Sequence, residues 1–559
     1  MNRRQFLEKS SLAALGAMAL RTHGTAMPAV VAPSPESQRA RLDVLWGDRV
    51  GKLNRNIYGH FAEHLGSCIY DAMWVGEGSS IPNYNGLRKD TIEALKRIKA
   101  PILRWPGGCF ADQYHWRDGI GPREKRPRTW NIWWGRDEGN AFGTDEFLEY
   151  CRLSGVEPYL CANVGSGSPE EALDWMMYCN GKESTTITSL RAANGHPEPY
   201  KVRYWSVGNE NWGCGGNFDA ESYAREYARY VTYLNRYAER GTVEFVACGD
   251  FRDDWNQKFF ETLLRRPGAR GQVREVNHLS VHHYFRGGLG QATEFTDEEY
   301  YRALAGVSVL EGYIEETIGL IQHYTNPQNR IGIALDEWGI WHPVPSTGAQ
   351  GLWQSNTLRD ALLAAVTFNS LNSYGQAVSM ANIAQTFNVL QCIAFTKGPK
   401  FALTPTYHVF DLYQPHMDAM ALKTVVDSPT YTVKPPTQVP SQFLALMLAQ
   451  LGGRGKTTRT YLSASASLNE AQKQICLTLV NQHLTEPMEV EIQIPGLDSP
   501  GVRGGTLREL TSGNVRDENT LDKPDVVHPS APKQLSVQGN KFTHVVPPHA
   551  VQTLVLQVG

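Results

Sequence analysis

The sequence predicts an α/β protein: a (β/α)8 TIM barrel with a C-terminal all-β sandwich of jelly-roll type. Three observations carry this. From about residue 55 to 400, eight short β-like runs alternate with amphipathic helical stretches. Beyond about residue 405 the apolar pattern changes to period two, as in half-buried antiparallel strands. A chain of 559 residues exceeds one ordinary domain, but it accommodates a barrel of about 250 to 400 residues and one smaller module.

The N-terminus reads as an address rather than as fold. Asn2-Arg3-Arg4-Gln5-Phe6-Leu7 precedes a short apolar run from Ser11 to Leu20. That run is too short to span a bilayer and has the charged-then-apolar order of an export signal. The paired arginines followed by Phe-Leu match a twin-arginine signal. Residues 1–32 are therefore set aside as a signal, cleaved between about Ala26 and Ala32, and the mature protein is expected in the periplasm or secreted, without a membrane span. Residues 33–55 are expected to join the β-sandwich, 56–402 to form the catalytic barrel, and 403–559 to complete the sandwich.

The barrel strands are predicted at Ile57–Phe61, Pro101–Arg104, Glu157–Ala162, Val202–Val207, Val243–Cys248, His278–Tyr284, Gly332–Glu337 and Ala377–Ile383. Several are nearly continuous apolar runs, as in strands covered on both faces by helices. Ile92, Leu95 and Ile98 recur at helical spacing, and a second helix over about 220–240 lines up Tyr223, Tyr227, Tyr230 and Leu234 as a core-facing stripe. A doubly wound sheet is the alternative, but no GxGxxG follows the first strand. In the C-terminal region, Val490, Ile492 and Ile494 alternate with polar residues, and Val551 to Val558 repeats the pattern. The proline-rich stretch from Asp427 to Pro440 and the polar 513–534 stretch read as surface loops.

Composition narrows the function classes. A net charge of −3 argues against nucleic acid as a partner. Fourteen Trp and 24 Tyr suit a core and also suit the apolar faces of sugar rings. Nine scattered cysteines form no disulfide scaffold and show no zinc spacing, so most are expected to be buried free thiols.

Two segments carry chemistry. Trp205-Ser206-Val207-Gly208-Asn209-Glu210 ends a strand in a carboxylate, and Ile333-Ala334-Leu335-Asp336-Glu337-Trp338 does so again three βα units later. An acidic side chain after an apolar strand is costly unless it faces an open polar site. Across one barrel mouth, such a pair matches glycoside hydrolysis, in which one carboxylic acid protonates the leaving oxygen and one carboxylate meets the anomeric carbon. The two environments must then hold the two carboxyl groups in different protonation states. His60-Phe61-Ala62-Glu63-His64 also fits the inverted zinc-protease signature HxxEH. That chemistry needs a helix, whereas here Gly59 and Gly66 bracket the end of a strand, so no metal site is assigned. The hydrolysis requires no cofactor.

Nine segments in order, IYGHFAEHLG (57–66), RWPGG (104–108), YHWRDGIGP (114–122), FGTDEF (142–147), WSVGNE (205–210), LSVHHYF (279–285), LDEWGIW (335–341), ANIAQTFNVLQ (381–391) and LTPTYHVFDLY (403–413), resemble glycoside hydrolase family 51, the α-L-arabinofuranosidases. The resemblance implies a retaining, exo-acting enzyme that frees terminal arabinofuranose from arabinan, arabinoxylan or their oligosaccharides. It implies Glu210 as acid/base and Glu337 as nucleophile. By position, Glu63, Asn209 and Gln385 resemble sugar ligands, Tyr284 the tyrosine supporting the nucleophile, His282 the histidine beside the acid/base, and Trp134 and Trp341 aromatics that shape the pocket. A homo-oligomer, commonly a hexamer, is also implied. The chain departs from the family at Cys109, where many members have Asn. A thiol is a poor substitute for an amide, which weakens a sugar contact there; Cys214 in the loop after Glu210 is the neighbour with which Cys109 could be bridged. Two other functions fit the same barrel: an endo-β-glycanase, which needs an open groove, and a carbohydrate-binding protein without catalysis, against which both glutamates argue.

Overall fold

The computed structural model describes residues 38–559 apart from 240, 252–253, 267–274, 287, 326–329, 344–350 and 435–456. The export reading of residues 1–32 lies outside the described residues, as do residues 435–440 of the predicted 427–440 loop. Residues 37–559 form one compact unit.

The first strand, β1 (Gln38–Lys52), does not belong to the barrel. Eight short strands follow: β2 (Gly59–Phe61), β3 (Ile102–Trp105), β4 (Glu157–Ala162), β5 (Tyr204–Val207), β6 (Glu244–Cys248), β7 (His278–Phe285), β8 (Gly332–Ile340) and β9 (Val378–Ala384). Each pairs in parallel with the next and β9 closes on β2, which excludes the open doubly wound sheet. β2 begins later than predicted. Asn54 Oδ1 accepts the Asn56 N–H at 3.0 Å and turns Arg55–Tyr58 into a short 3-10 helix. β8 runs three residues further than predicted, so Glu337 lies within the strand rather than at its tip.

The helices confirm the 3.6-residue pattern where it is strongest. Lys89–Arg97 buries Ile92 and Leu95, and Ala220–Tyr237, capped by Asp219, buries Tyr223, Tyr227, Tyr230 and Leu234. Leu358–Ser373 is different: it is buried on all sides. Its outer face is covered by the C-terminal sheet, where Asn369 Nδ2 donates to Ser463 Oγ at 3.1 Å and Asn372 Nδ2 to Ser465 Oγ at 3.2 Å. The polar 513–534 stretch is not a free loop. The carbonyls of Val515 and Asp517 accept the first N–H groups of this helix, satisfying donors that a helix start leaves unpaired.

Residues 405–413, placed in the period-two region on sequence, instead form a helix (Pro405–Tyr413) packed on Leu358–Ser373. Pro405 suits a first helical turn, and Tyr407, Phe410 and Tyr413 recur at helical spacing. Eight strands then build the rest: β10 (Met420–Asp427), β11 (Leu462–Asn469), β12 (Gln474–Asn481), β13 (Met488–Gln493), β14 (Val502–Leu510), β15 (Lys533–Leu535), β16 (Lys541–Val546) and β17 (Ala550–Val558). Thr430–Thr432, predicted as loop, pairs with Thr458–Thr460. With β1 these eight strands make one nine-stranded sheet, ordered β15-β14-β17-β12-β11-β10-β1-β13-β16. β1 is the seam, antiparallel to β10 and parallel to β13, and Leu42 and Val44 lie in the same core as Leu477, Val490, Ile492 and Leu554.

Candidate active site

The barrel interior is graded from apolar to polar. Ile102, Tyr159, Tyr204, Val246, Ala334 and Met380 fill one layer. Next comes Asp336, which accepts the Tyr159 O–H at 2.7 Å and the Asn382 amide at 3.0 Å, with Arg104 Nε 4.0 Å away. A buried carboxylate is tolerable only with such partners. Above this layer the two predicted glutamates meet.

Glu337 Oε1 accepts from Arg104 Nη1 at 2.8 Å, across 233 residues of chain, and Oε2 accepts from the Tyr284 hydroxyl at 2.7 Å. Burial pushes the Glu337 carboxyl up. The His282 and Arg104 charges and the Tyr284 and Arg104 hydrogen bonds outweigh burial and hold it below the usual carboxylate range. His282 Nδ1 lies 2.9 Å from Glu210 Oε1 and 3.7 Å from Glu337 Oε2. Burial opposes charging of this imidazole, but Glu337 and Glu210 together raise its pKa above the ordinary value. One oxygen of each glutamate and a ring nitrogen of His282 all lie within 4.8 Å of one another. Such close approach accords with the roughly 5 to 5.5 Å carboxyl spacing of retaining pairs. Glu210 has φ +42°, a left-handed backbone that is strained for a side chain of this kind and re-aims it after β5.

Glu63, just beyond β2, accepts from the Phe110 N–H at 2.9 Å, Trp134 Nε1 at 3.0 Å and Gln385 Nε2 at 3.1 Å. Burial pushes its carboxyl up to about 7 despite these donors, and the nearby Glu337 charge adds to the rise. The Gly-Gly pair of RWPGG is what admits Glu63. A Cβ on Gly108 would stand 2.5 Å from Glu63 Oε2.

These groups open on a cavity of about 380 Å³. Of the ten site residues predicted, nine border it: Glu63, Cys109, Trp134, Glu210, His282, Tyr284, Glu337, Trp341 and Gln385. Asn209 is not among the bordering residues; its Oδ1 takes a short hydrogen bond from Arg104 Nη2, and its backbone N–H donates to Asp112 Oδ2 at 2.8 Å. Cys109 and Cys214 are joined in a disulfide, with Cα atoms 5.5 Å apart, and the other seven cysteines are buried free thiols. Cys109 therefore has no S–H to offer a sugar, and the Cys214 sulfur sits 3.6 Å from Glu210 Oε2. In the HxxEH segment, the His60 ring packs on Phe410, while His64 Nδ1 bonds Glu138 at 2.8 Å. The two imidazoles serve different neighbours.

Sequence reasoning assigned no role to Arg104, Asp112, Asp336 or Arg286. Arg104 had one signal, a charged residue inside an otherwise apolar strand, and it links Glu337 to Asn209. Asp112 gathers the N–H groups of Val164, Gly165 and Asn209, bracing the loop before Glu210; burial pushes its carboxyl up to about 7.

Comparison with known proteins agrees with this geometry. The α-L-arabinofuranosidase 1 domain matches residues 94–299 and the α-L-arabinofuranosidase C-terminal domain matches residues 336–550. An intracellular exo-α-L-arabinofuranosidase of Bacteroides ovatus is 38% identical over 509 residues, 90% of this chain and 93% of that one. Among solved structures, the GH51 arabinofuranosidase of Xanthomonas axonopodis pv. citri superposes with a TM-score of 0.83 at 34% identity, covering 93% of this chain and all (100%) of that one. An α-L-arabinofuranosidase of Thermotoga maritima in complex with arabinose gives 0.79 at 33% identity, over 92% and 99% of the two chains. On the extent of these matches, the chain belongs to the α-L-arabinofuranosidases of glycoside hydrolase family 51.

Proposed function

We propose that this chain is a retaining, exo-acting α-L-arabinofuranosidase acting on terminal arabinofuranose of arabinan, arabinoxylan or their oligosaccharides, with Glu337 as nucleophile and Glu210 as acid/base. The observation that carries this is the pair of carboxylates within 4.8 Å of each other on one cavity. Glu337, held anionic by Arg104 and Tyr284, attacks the anomeric carbon while Glu210 delivers its proton to the departing oxygen. The glycosyl–Glu337 bond is then cleaved by water, from which Glu210 takes a proton. His282, bonded to Glu210 and close to Glu337, senses both charges as they change. Glu63, Gln385 and Trp134 form a linked polar rim suited to the sugar hydroxyls. Asn209 bears on the reaction through Arg104.

A cavity bordered by Trp134, Trp341 and Trp212 favours one terminal sugar over the open groove of an endo-glycanase. The experiment is product analysis by NMR on a panel of arabinofuranosides and polymers. Release of arabinose with the substrate's own anomeric configuration is expected, and Glu337→Ala should abolish turnover. Inverted product, or activity surviving that substitution, would falsify the assignment.

Export through residues 1–32 remains part of this proposal. No helix among the described residues is long and apolar enough to cross a membrane. The Cys109–Cys214 bond accords with an oxidising compartment. N-terminal sequencing of the protein recovered from cell fractions checks it: a full-length cytosolic product counts against export. A homo-oligomer, a hexamer by resemblance, is proposed on the same footing and is tested by sedimentation analysis.

A further inference from the structure

Among the described residues, Arg286 is the one arginine or lysine bordering the cavity, and it has no role in the mechanism above. It follows β7 by one residue, and just before it the ladder makes one more bond, the Trp341 N–H donating to the Phe285 carbonyl at 2.9 Å. His282, Tyr284 and Arg286 therefore stand on alternate positions of one extended run, and all three border the cavity. Each two-residue step advances about 6.6 Å along the strand. Tyr284 holds the nucleophile, so Arg286 sits one step nearer the barrel mouth, beside the leaving part of a substrate rather than the sugar that is released.

Burial holds the pKa of Arg286 below the ordinary arginine value; the charges of Glu210 and Glu337 act on it but do not offset that burial. The guanidinium carbon lies 3.6 Å from the Trp341 ring centre and 4.8 Å from that of Tyr284, so it rests in cation–π contact against both rings. Its Nε is buried and finds no acceptor, and no hydrogen bond or ion pair to Arg286 occurs among the described residues. The two glutamates whose charges act on it are bonded elsewhere, Glu337 to Arg104 and Tyr284 and Glu210 to His282. A desolvated cation without a hydrogen-bonded ion-pair partner is costly. Contact with aromatic rings satisfies none of the guanidinium's N–H groups, and a fork of such donors matches the two oxygens of a carboxylate.

We propose that Arg286, seated on Trp341, is a leaving-group subsite that binds a carboxylate, so that the preferred substrates are arabinofuranosides carried on uronate-bearing glycans. The catalytic carboxylates below repel an anion from the cavity floor, which confines the uronate to the mouth where Arg286 stands. This inference rests on the arabinofuranosidase reading above and adds the chemistry of the aglycone.

The test uses two arabinofuranosyl oligosaccharides that differ only in one leaving-side uronate, the second being its carboxyl-reduced form. Wild-type kcat/KM is expected to favour the acidic substrate about ten- to hundredfold, the range for a hydrogen-bonded charge. Arg286→Gln should bring the ratio to about unity, and Arg286→Lys, which keeps the charge and loses the fork, should retain part of it, with far-UV circular dichroism monitoring the fold. Equal rates on the two substrates in wild type, or a preference for the reduced one, overturn the proposal. So does an acidic preference that survives Arg286→Gln. Should neither substrate be cleaved, the glycosidase assignment falls as well, an outcome distinct from equal cleavage.

Discussion

Tyr284→Phe removes one hydrogen bond and little else. The ring stays edge-on to Trp341 at 5.2 Å, while the hydroxyl that donates to Glu337 Oε2 at 2.7 Å is lost. Burial pushes the Glu337 carboxyl up, and His282, Arg104 and Tyr284 together pull it below the ordinary range. Removing one of these lets it rise. A hydrogen bond to a charged group contributes about 1.5 to 3 kcal/mol, and one pKa unit corresponds to about 1.4 kcal/mol. The acid limb of kcat/KM should therefore move up by about one to two pH units. Below that limb Glu337 is protonated and cannot attack, so the variant loses activity about tenfold or more near the acid edge and recovers towards neutral pH. The quantity to compare is the apparent acid limb in variant and wild type, measured with an aryl arabinofuranoside. An acid limb that stays in place, or moves down, refutes the view that Tyr284 holds Glu337 anionic.

Glu210→Ala should retain glycosylation by substrates with a good leaving group but stall afterwards, so intact-mass spectrometry should find the chain carrying one covalent pentosyl unit; an unmodified chain under turnover conditions counts against Glu210 as the base. Thiol titration of denatured protein should find seven thiols before reduction and nine after it, since only Cys109 and Cys214 are bridged; nine from the start would show the bond is not formed. Gly108→Ala should leave the fold intact yet lower kcat/KM by about a hundredfold, because its methyl group would meet Glu63 Oε2 at 2.5 Å and displace the rim, and displacements of about 1 Å cost this much. Unchanged kinetics in that variant would remove Glu63 from the site.

Much of the site was legible because its parts sit in short segments whose chemistry conflicts with their surroundings. Glu210 and Glu337 announce themselves as carboxylates ending apolar runs, and nine of the ten residues named from sequence do border one cavity. Arg286 was passed over because, in one dimension, it is an arginine before two glycines, a common loop composition. Its significance comes from the Trp341 ring beneath it, contributed by another strand. Asn209 shows what adjacency in sequence leaves open: beside Glu210 it resembles a sugar ligand, and only the fold shows that its Oδ1 is taken by Arg104.

The alternation of β and α segments, the burial of the Tyr223–Leu234 stripe and the change to period two are determined by sequence alone. Each follows from the repeat of a single element and needs no partner to be specified. What lay beyond the sequence involves partners far apart in the chain. Arg104 reaches Glu337 across 233 residues, and Gln385 reaches Glu63 across 322. β1 closes the C-terminal sheet between β10 and β13, and the helix Leu358–Ser373 is buried on its outer face by strands that come roughly a hundred residues later. Local pattern sets which face of an element is apolar. Barrel closure and docking of the sheet decide which residues meet across it, and the charge state of Glu337 is a property of those meetings.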